Sequence, residues 1–217
     1  MHELDLTSGG LQRVLCLGAH CDDIEIGCGG TILALLDRHP GLHVDWIVFS
    51  GTAARAAEAR QSAAAFLDGV PGSNVVIHGF RDGYLPWAGA EIKDCFETIK
   101  RGEPPDLILT HHRGDHHQDH RLIGELTWNT WRNHLILEYE IPKYDGDLGR
   151  PNAFMPVSEK LARRKIDLIL ENFPSQRDKG WFTETTFQAL LRLRGIEANA
   201  PEGFAEGFFA PKLRLRI

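Results

Sequence analysis

Short runs that are apolar at nearly every position constrain this chain most. Val14, Leu15, Cys16 and Leu17 form one such run, residues 43–50 (HVDWIVFS) a second, residues 74–80 a third and residues 106–110 a fourth. Successive side chains of a strand point to opposite faces, so a run without a polar face must be covered on both sides. The stretches between the runs have helical composition, the clearest being the alanine-rich segment 53–67 with Arg55, Glu58 and Arg60 among its small residues. The spacing predicts strands over residues 13–19, 43–50, 74–80, 106–110 and 135–141. It predicts helices over 31–38, 53–67, 91–100, about 121–133, 158–172 and 183–195, with a short last strand in 212–217. Strands alternating with helices indicate an α/β fold, a Rossmann-like doubly wound, mostly parallel sheet with helices on both faces and a core order 3-2-1-4-5. The chain of 217 residues is expected to form one domain over 1–217. The irregular stretch 144–156 is read as a substrate-facing loop rather than a linker, because a long structureless segment in a compact domain usually has a function.

Topology directs attention to two strand tips. In a sheet of order 3-2-1-4-5 the first and fourth strands are neighbours at the switch point, and ligands bind outside their carboxyl ends. The first tip carries His20, Cys21, Asp22 and Asp23; the fourth leads into His111, His112, Arg113, Gly114, Asp115, His116, His117, Gln118, Asp119 and His120. A pair of carboxylates at a buried tip is costly unless something positive compensates, and a metal ion is the natural partner. His20 and Asp23 are three residues apart and can turn toward one point, leaving Asp22 to face elsewhere. His117 and His120 share a face if the next helix has begun by then. Two imidazoles and one carboxylate leave coordination positions for water, as catalytic rather than structural zinc sites do. One carboxylate and one histidine then remain for proton transfer.

These residues resemble those of the LmbE-like or PIG-L-type zinc deacetylases, which remove acetyl groups from N-acetylglucosamine-containing substrates. The family's A-H-x-D-D motif is matched by Ala19-His20-Cys21-Asp22-Asp23, followed by Gly27-Cys28-Gly29-Gly30-Thr31, and its H-x-D-H motif by His117-Gln118-Asp119-His120. The resemblance spans about the first 140 residues, including Arg55 and Glu58 on the second helix and Asp82 after the third strand. It implies that His20, Asp23 and His120 bind zinc, with Fe2+ or another divalent metal as alternatives. It implies Asp22 as the general base, His117 as the group that stabilises the oxyanion or protonates the leaving amine, and Asp119 as support behind the ligands. Arg55 and Asp82 look like substrate contacts, and the implied reaction is metal-assisted hydrolysis of an acetamide. Cys21 stands where proline is usual and Ile24 where glutamate is common, and a thiol beside a metal raises the prospect of oxidation.

Other readings of the same residues stay open. Paired acids after a first strand also occur in magnesium-dependent phosphoacceptor domains, and two histidines with one carboxylate also form the facial triad of non-haem iron oxygenases. A sugar- or metal-binding protein without activity would share the fold. The glycines after Asp23 lack the G-x-G-x-x-G spacing of a dinucleotide loop and are read as close helix packing. Arg55 either pairs with Glu58 at the surface or reaches the substrate. His111, His112 and His116 are read as solvated surface, Trp128, Trp131 and Trp181 as core or interface, and Trp87 as either interface or a ring that stacks on a sugar. Glu138-Tyr139-Glu140 at a strand end, Lys143, Arg150 and the region from Lys160 to Arg164, with Lys165 beside it, are read as charged surface, with an anion-binding rim as the alternative, and Glu206 as lying near the mouth of the site.

The expected partner is a small N-acetyl amino sugar or its conjugate, and self-association into a homo-oligomer is left open. A net charge of −6 offers no electrostatic footprint for nucleic acid or an anionic membrane. The start of the chain lacks the basic and apolar blocks of an export signal, and four cysteines without paired C-x-x-C spacing suggest reduced thiols, so a cytoplasmic protein is expected.

Overall fold

The computed structural model describes Glu3, Asp5 and residues 10–68 and 70–214. The elements run β1 (Arg13–Gly18), α1 (Asp23–Arg38), β2 (His43–Ser50), α2 (Ala53–Phe66), β3 (Asn74–Phe80), a 3-10 turn (Leu85–Ala88), α3 (Gly89–Ile99), β4 (Leu107–His111) and α4 (Gln118–Thr130). They continue with β5 (Leu135–Tyr139), β6 (Ala153–Pro156), α5 (Glu159–Asn172), a 3-10 turn (Pro174–Gln176), α6 (Glu184–Ala198) and β7 (Ala205–Phe209). Among the described residues the strands form one sheet in the order β3-β2-β1-β4-β5-β7-β6. β1 to β5 are parallel, whereas β7 runs antiparallel to both β5 and β6. The core order 3-2-1-4-5 is therefore present, and an antiparallel edge extends it.

The two-sided burial follows from the alternation. Val14 and Cys16 of β1 belong to one core with Ile26 and Ile32 of α1, Ala59 and Phe66 of α2 and Ile166 and Ile169 of α5. Leu15 and Leu17, one residue out of step, belong to the opposite core with Ile92 and Phe96 of α3 and Ile123 of α4. Trp46, Phe49, Phe96 and Phe173 are fully buried, and each such side chain contributes about 1.5–3 kcal/mol relative to exposure. No helix among the described residues is long and apolar enough to cross a membrane.

Three expectations need correction. The first helix begins at Asp23, at the strand tip, and runs through the glycines with a break at Cys28 (φ −144°, ψ 16°). The last strand lies at Ala205–Phe209, whereas Lys212, Leu213 and Arg214 form no strand and residues 215–217 lie outside the described residues. Part of the irregular stretch is a strand, Ala153–Pro156, paired with that last strand. Glu206 and Gly207 break the apolar pattern of β7, yet both are required there. Glu206 is buried against Lys165, and a Cβ on Gly207 would lie 2.9 Å from the Pro151 ring.

Glu138, buried at the end of β5, secures the neighbouring tip of β4. It accepts from Arg113 Nε at 2.7 Å and Trp128 Nε1 at 2.6 Å, and lies 2.8 Å from His112 Nδ1. Burial alone would raise its carboxyl, but His112 and Arg113 outweigh burial and hold it below the ordinary carboxylate range. A carboxyl depressed in the folded state stabilises the fold above its unfolded pKa, and that contribution is lost as pH falls through the depressed value. Glu138→Gln is thus expected to cost stability at neutral pH and to lose less than wild type on acidification below about pH 4.5. Circular dichroism along a pH series checks this, and identical acid limbs would remove Glu138 from the acid response.

Candidate active site

β1 and β4 pair directly, so their carboxyl ends deliver the two polar segments to one place. His117 caps the N-terminus of α4, with its Nδ1 accepting the Asp119 N–H at 3.2 Å, and His120 follows in the first turn. Asp23 opens α1 and accepts the His20 N–H at 2.6 Å, which fixes the turn between strand and helix. Carboxylates are favoured at such a helix start by the peptide dipoles.

Two imidazole nitrogens and the Asp23 carboxylate converge. His20 Nδ1 lies 3.1 Å from His120 Nε2 and 3.3 Å from Asp23 Oδ2, and His120 Nε2 lies 3.6 Å from Asp23 Oδ1. Ligands about 2.0–2.2 Å from a tetrahedral ion stand about 3.3–3.5 Å from one another, and these separations, which reach both oxygens of Asp23, lie close to that range. Two imidazole nitrogens that approach so closely must share a proton or face a common cation. The other ring nitrogens are engaged: His120 Nδ1 faces Asp115 Oδ2 at 2.9 Å, and His20 Nε2 faces Asp119 Oδ2 and Asp82 Oδ1, both at 3.2 Å. That is how ligating histidines are commonly oriented. Burial pushes His120 down to about 3, so its ring is neutral at pH 7, as metal ligation requires. Burial also lowers His20, but Asp23, with Asp119 and Asp82, holds it well above the ordinary histidine range. The carboxylates make a position where positive charge is favoured, and the donor set fits a divalent ion.

Asp22 stands outside this triangle. It is buried, and its Oδ1 lies 3.0 Å from Arg55 Nη2; burial raises the carboxyl and Arg55 opposes the rise. Arg55 Nη1 also donates to Glu58 Oε2 at 3.1 Å and to Ser175 Oγ at 3.2 Å, so the pairing with Glu58 is present, although both side chains are largely buried rather than at the surface. Asp119 is fully buried and accepts the N–H groups of Gly83 at 2.8 Å and Leu85 at 3.1 Å, which ties the loop after β3 to α4. Asp82, on that loop, has a side chain 74 % exposed beside the His20 ring. Trp87, farther along it, is 72 % exposed and packs on Tyr84.

Several polar residues are not where sequence reasoning put them. His111 is fully buried at the end of β4, its Nε2 within 2.9–3.2 Å of Ala19 N, Asp23 Oδ2 and Tyr139 Oη. Alternation could have shown it, since Leu107, Leu109 and His111 share a face. His112 stacks on Phe209 and faces Glu138, and the His116 N–H donates to Asp147. Asp115, which was not singled out, orients His120. Lys165 is buried, donating to Glu206 Oε1 and to the Ile26 carbonyl, both at 2.6 Å. Glu206 does not line the mouth: it accepts the Gly30 N–H at 2.8 Å and the Thr31 N–H at 2.7 Å just past the break in α1. Cys21 points away from the histidines toward the Ser50 carbonyl, and burial pushes its thiol up to about 12, so the reactive thiolate is suppressed.

A doubly wound α/β protein with an imidazole–carboxylate cluster at the switch point of its sheet is the class these observations define. The family model described as PIG-L, GlcNAc-PI de-N-acetylase, matches residues 15–131, more than half of the chain, and the chain belongs to that family. A relative from Escherichia coli K12, named as the uncharacterized deacetylase YaiS, is 30% identical over 145 residues, 60% of this chain and 75% of that protein. Among solved structures, N,N'-diacetylchitobiose deacetylase from Pyrococcus horikoshii superposes with a TM-score of 0.74 at 23% identity, covering 95% of this chain and 86% of its own. The 4-carboxy-2-hydroxymuconate hydratase GalB from Pseudomonas putida KT2440 superposes with a TM-score of 0.72 at 16% identity, covering 95% and 99%. At these identities the two structures establish a shared fold, and their different names show that one fold serves different reactions.

Proposed function

We propose that this chain is a metal-dependent hydrolase that removes the acetyl group from a small molecule carrying an N-acetylated amino sugar, giving acetate and a free amine. The observation that supports it most is the convergence of His20, Asp23 and His120 donor atoms within 3.1–3.6 Å, beside a carboxylate, Asp22, that takes no part in the triangle. Those three residues would hold zinc, with ferrous or another divalent ion able to use the same donors; when bound, the ion lowers the pKa of water and polarises the amide carbonyl.

The remaining roles belong to the chain itself. Asp22, directed by Arg55, takes a proton from the water that attacks the acetyl carbon. With Nδ1 of His117 accepting the Asp119 N–H, the neutral ring carries its proton on Nε2, which donates a hydrogen bond to the developing oxyanion. Burial and the neighbouring His20 both lower His117, which favours that neutral form. As the C–N bond breaks, the proton collected by Asp22 passes to the leaving nitrogen. Asp82 offers an exposed acceptor for a sugar hydroxyl. The amino-sugar substrate is supported by the family description and by the name of the Pyrococcus horikoshii structure.

The test is acetate release. Zinc-loaded protein incubated with N-acetylglucosamine, its glycosides and N,N'-diacetylchitobiose is expected to release acetate, to stop when a chelator strips the metal, and to resume when zinc is restored. Oxygen uptake with iron bound would favour an oxygenase. An absence of acetate from every such amide, with metal bound, would leave a binding protein of the same fold.

A further inference from the structure

Lys143 leaves β5 on the segment that precedes β6, and its side chain is only 9 % exposed. Its Nζ lies 3.0 Å from Asp115 Oδ2 and donates to Asp147 Oδ1 at 2.7 Å and Oδ2 at 2.6 Å. An ammonium has three donors, and three carboxylate oxygens surround this one, so nothing remains for a substrate anion. Asp115 Oδ2 is also the oxygen that faces His120 Nδ1 at 2.9 Å, while Asp115 Oδ1 accepts the His117 N–H at 2.7 Å. Asp147, whose side chain is 3 % exposed, accepts the His116 N–H at 2.7 Å. An unbroken polar chain, Asp147–Lys143–Asp115–His120, thus joins the segment after β5 to a metal-donor ring on α4.

We propose that Lys143 is a positioning residue for the divalent site. It fixes the direction of the Asp115 carboxylate, which turns Nε2 of His120 toward the ion, and it couples the seating of residues 142–149 to occupancy of that site. The physical basis is that Asp115 and Asp147 are two buried carboxylates with one cation between them. Removing the cation leaves like charges facing each other, which drives the Asp115 carboxylate to turn away from Asp147 or to take up a proton, and either change disturbs its hydrogen bond to His120. The proposal rests on the reading that His20, Asp23 and His120 bind the metal, and the experiment separates the two.

Zn2+ affinity is measured by competition with a chromophoric chelator for wild type, Asp23→Ala, Lys143→Met and Lys143→Arg, alongside apo-protein melting temperatures. If wild type binds Zn2+ no better than Asp23→Ala, the metal reading itself fails. If wild type binds and Asp23→Ala does not, Lys143→Met is expected to lose about 10–100-fold in affinity at a temperature where its apo form, though lowered in melting temperature, is still folded, and Lys143→Arg to recover most of it. Hydrogen exchange of residues 142–149 is expected to slow on adding Zn2+ to wild type and to be indifferent to Zn2+ in Lys143→Met. Wild-type affinity in Lys143→Met, or wild-type exchange that ignores Zn2+, overturns the proposal. Should Lys143→Met not fold, Asp147→Asn is expected to keep the affinity and lose the zinc-dependent protection; retention of both would sever the proposed link.

Discussion

Replacing Asp22 with asparagine is expected to lower acetate release by about 10²–10⁴-fold, the range by which positioned proton transfer accelerates such reactions, and to leave the proposed divalent ion in place. Asp22 sits outside the triangle of donor atoms, so its loss subtracts no ligand. Asparagine preserves size and an oxygen for Arg55, but it cannot accept the proton of attacking water. The measurement is kcat on an N-acetylated amino sugar together with metal content per chain. Asp23→Asn is the informative contrast, because it weakens a proposed ligand and should lower metal content and turnover together. An Asp22→Asn protein that turns over at the wild-type rate would remove this carboxylate from the reaction.

Gly27→Ala is expected to be the most damaging single-methyl change near the site. A Cβ at Gly27 would lie 2.2 Å from Tyr139 Cδ2 and 2.6 Å from Cγ. The Tyr139 ring cannot swing clear: it is fully buried, and its hydroxyl donates to the Leu17 carbonyl at 2.6 Å. Overpacking of this kind costs about 1–3 kcal/mol, which for a chain of this size lowers the melting temperature by about 2–4 °C per kcal/mol. The damage should also reach the site, since Tyr139 Oη lies 3.2 Å from His111 Nε2 and His111 lies 3.0 Å from Asp23. Gly41→Ala serves as control, because nothing stands within 4 Å of a Cβ there. Equal melting temperatures for the two variants would show that α1 can shift away from the sheet at little cost.

The same glycine shows how far local pattern carries. The run Gly27-Cys28-Gly29-Gly30 was legible as close helix packing, and Gly29, whose Cβ would lie 2.8 Å from the Phe66 ring, agrees. What the helix packs against was not legible, because Tyr139 and Phe66 come from distant strands and helices. β7 escaped recognition for a related reason. A glutamate and a glycine inside five residues argue against a buried strand until Lys165, Thr31 and Pro151 are known to meet them.

Sequence alone determined that a two-sided sheet forms, since consecutive apolar residues in an extended chain leave no face for water. It also determined that the polar tips of β1 and β4 share a crevice, since the order of strands and helices leaves few ways to wind such a sheet. Only the tertiary structure decided which polar groups are buried and what each one faces. His111, Asp115, Lys143 and Lys165 carry side chains that ordinarily stay in water, and each is buried here because a partner far along the chain, joined by near neighbours at Asp115 and Lys143, supplies the charge or hydrogen bond that water would have given. That compensation belongs to pairs of residues in space, so no single stretch of sequence contains it.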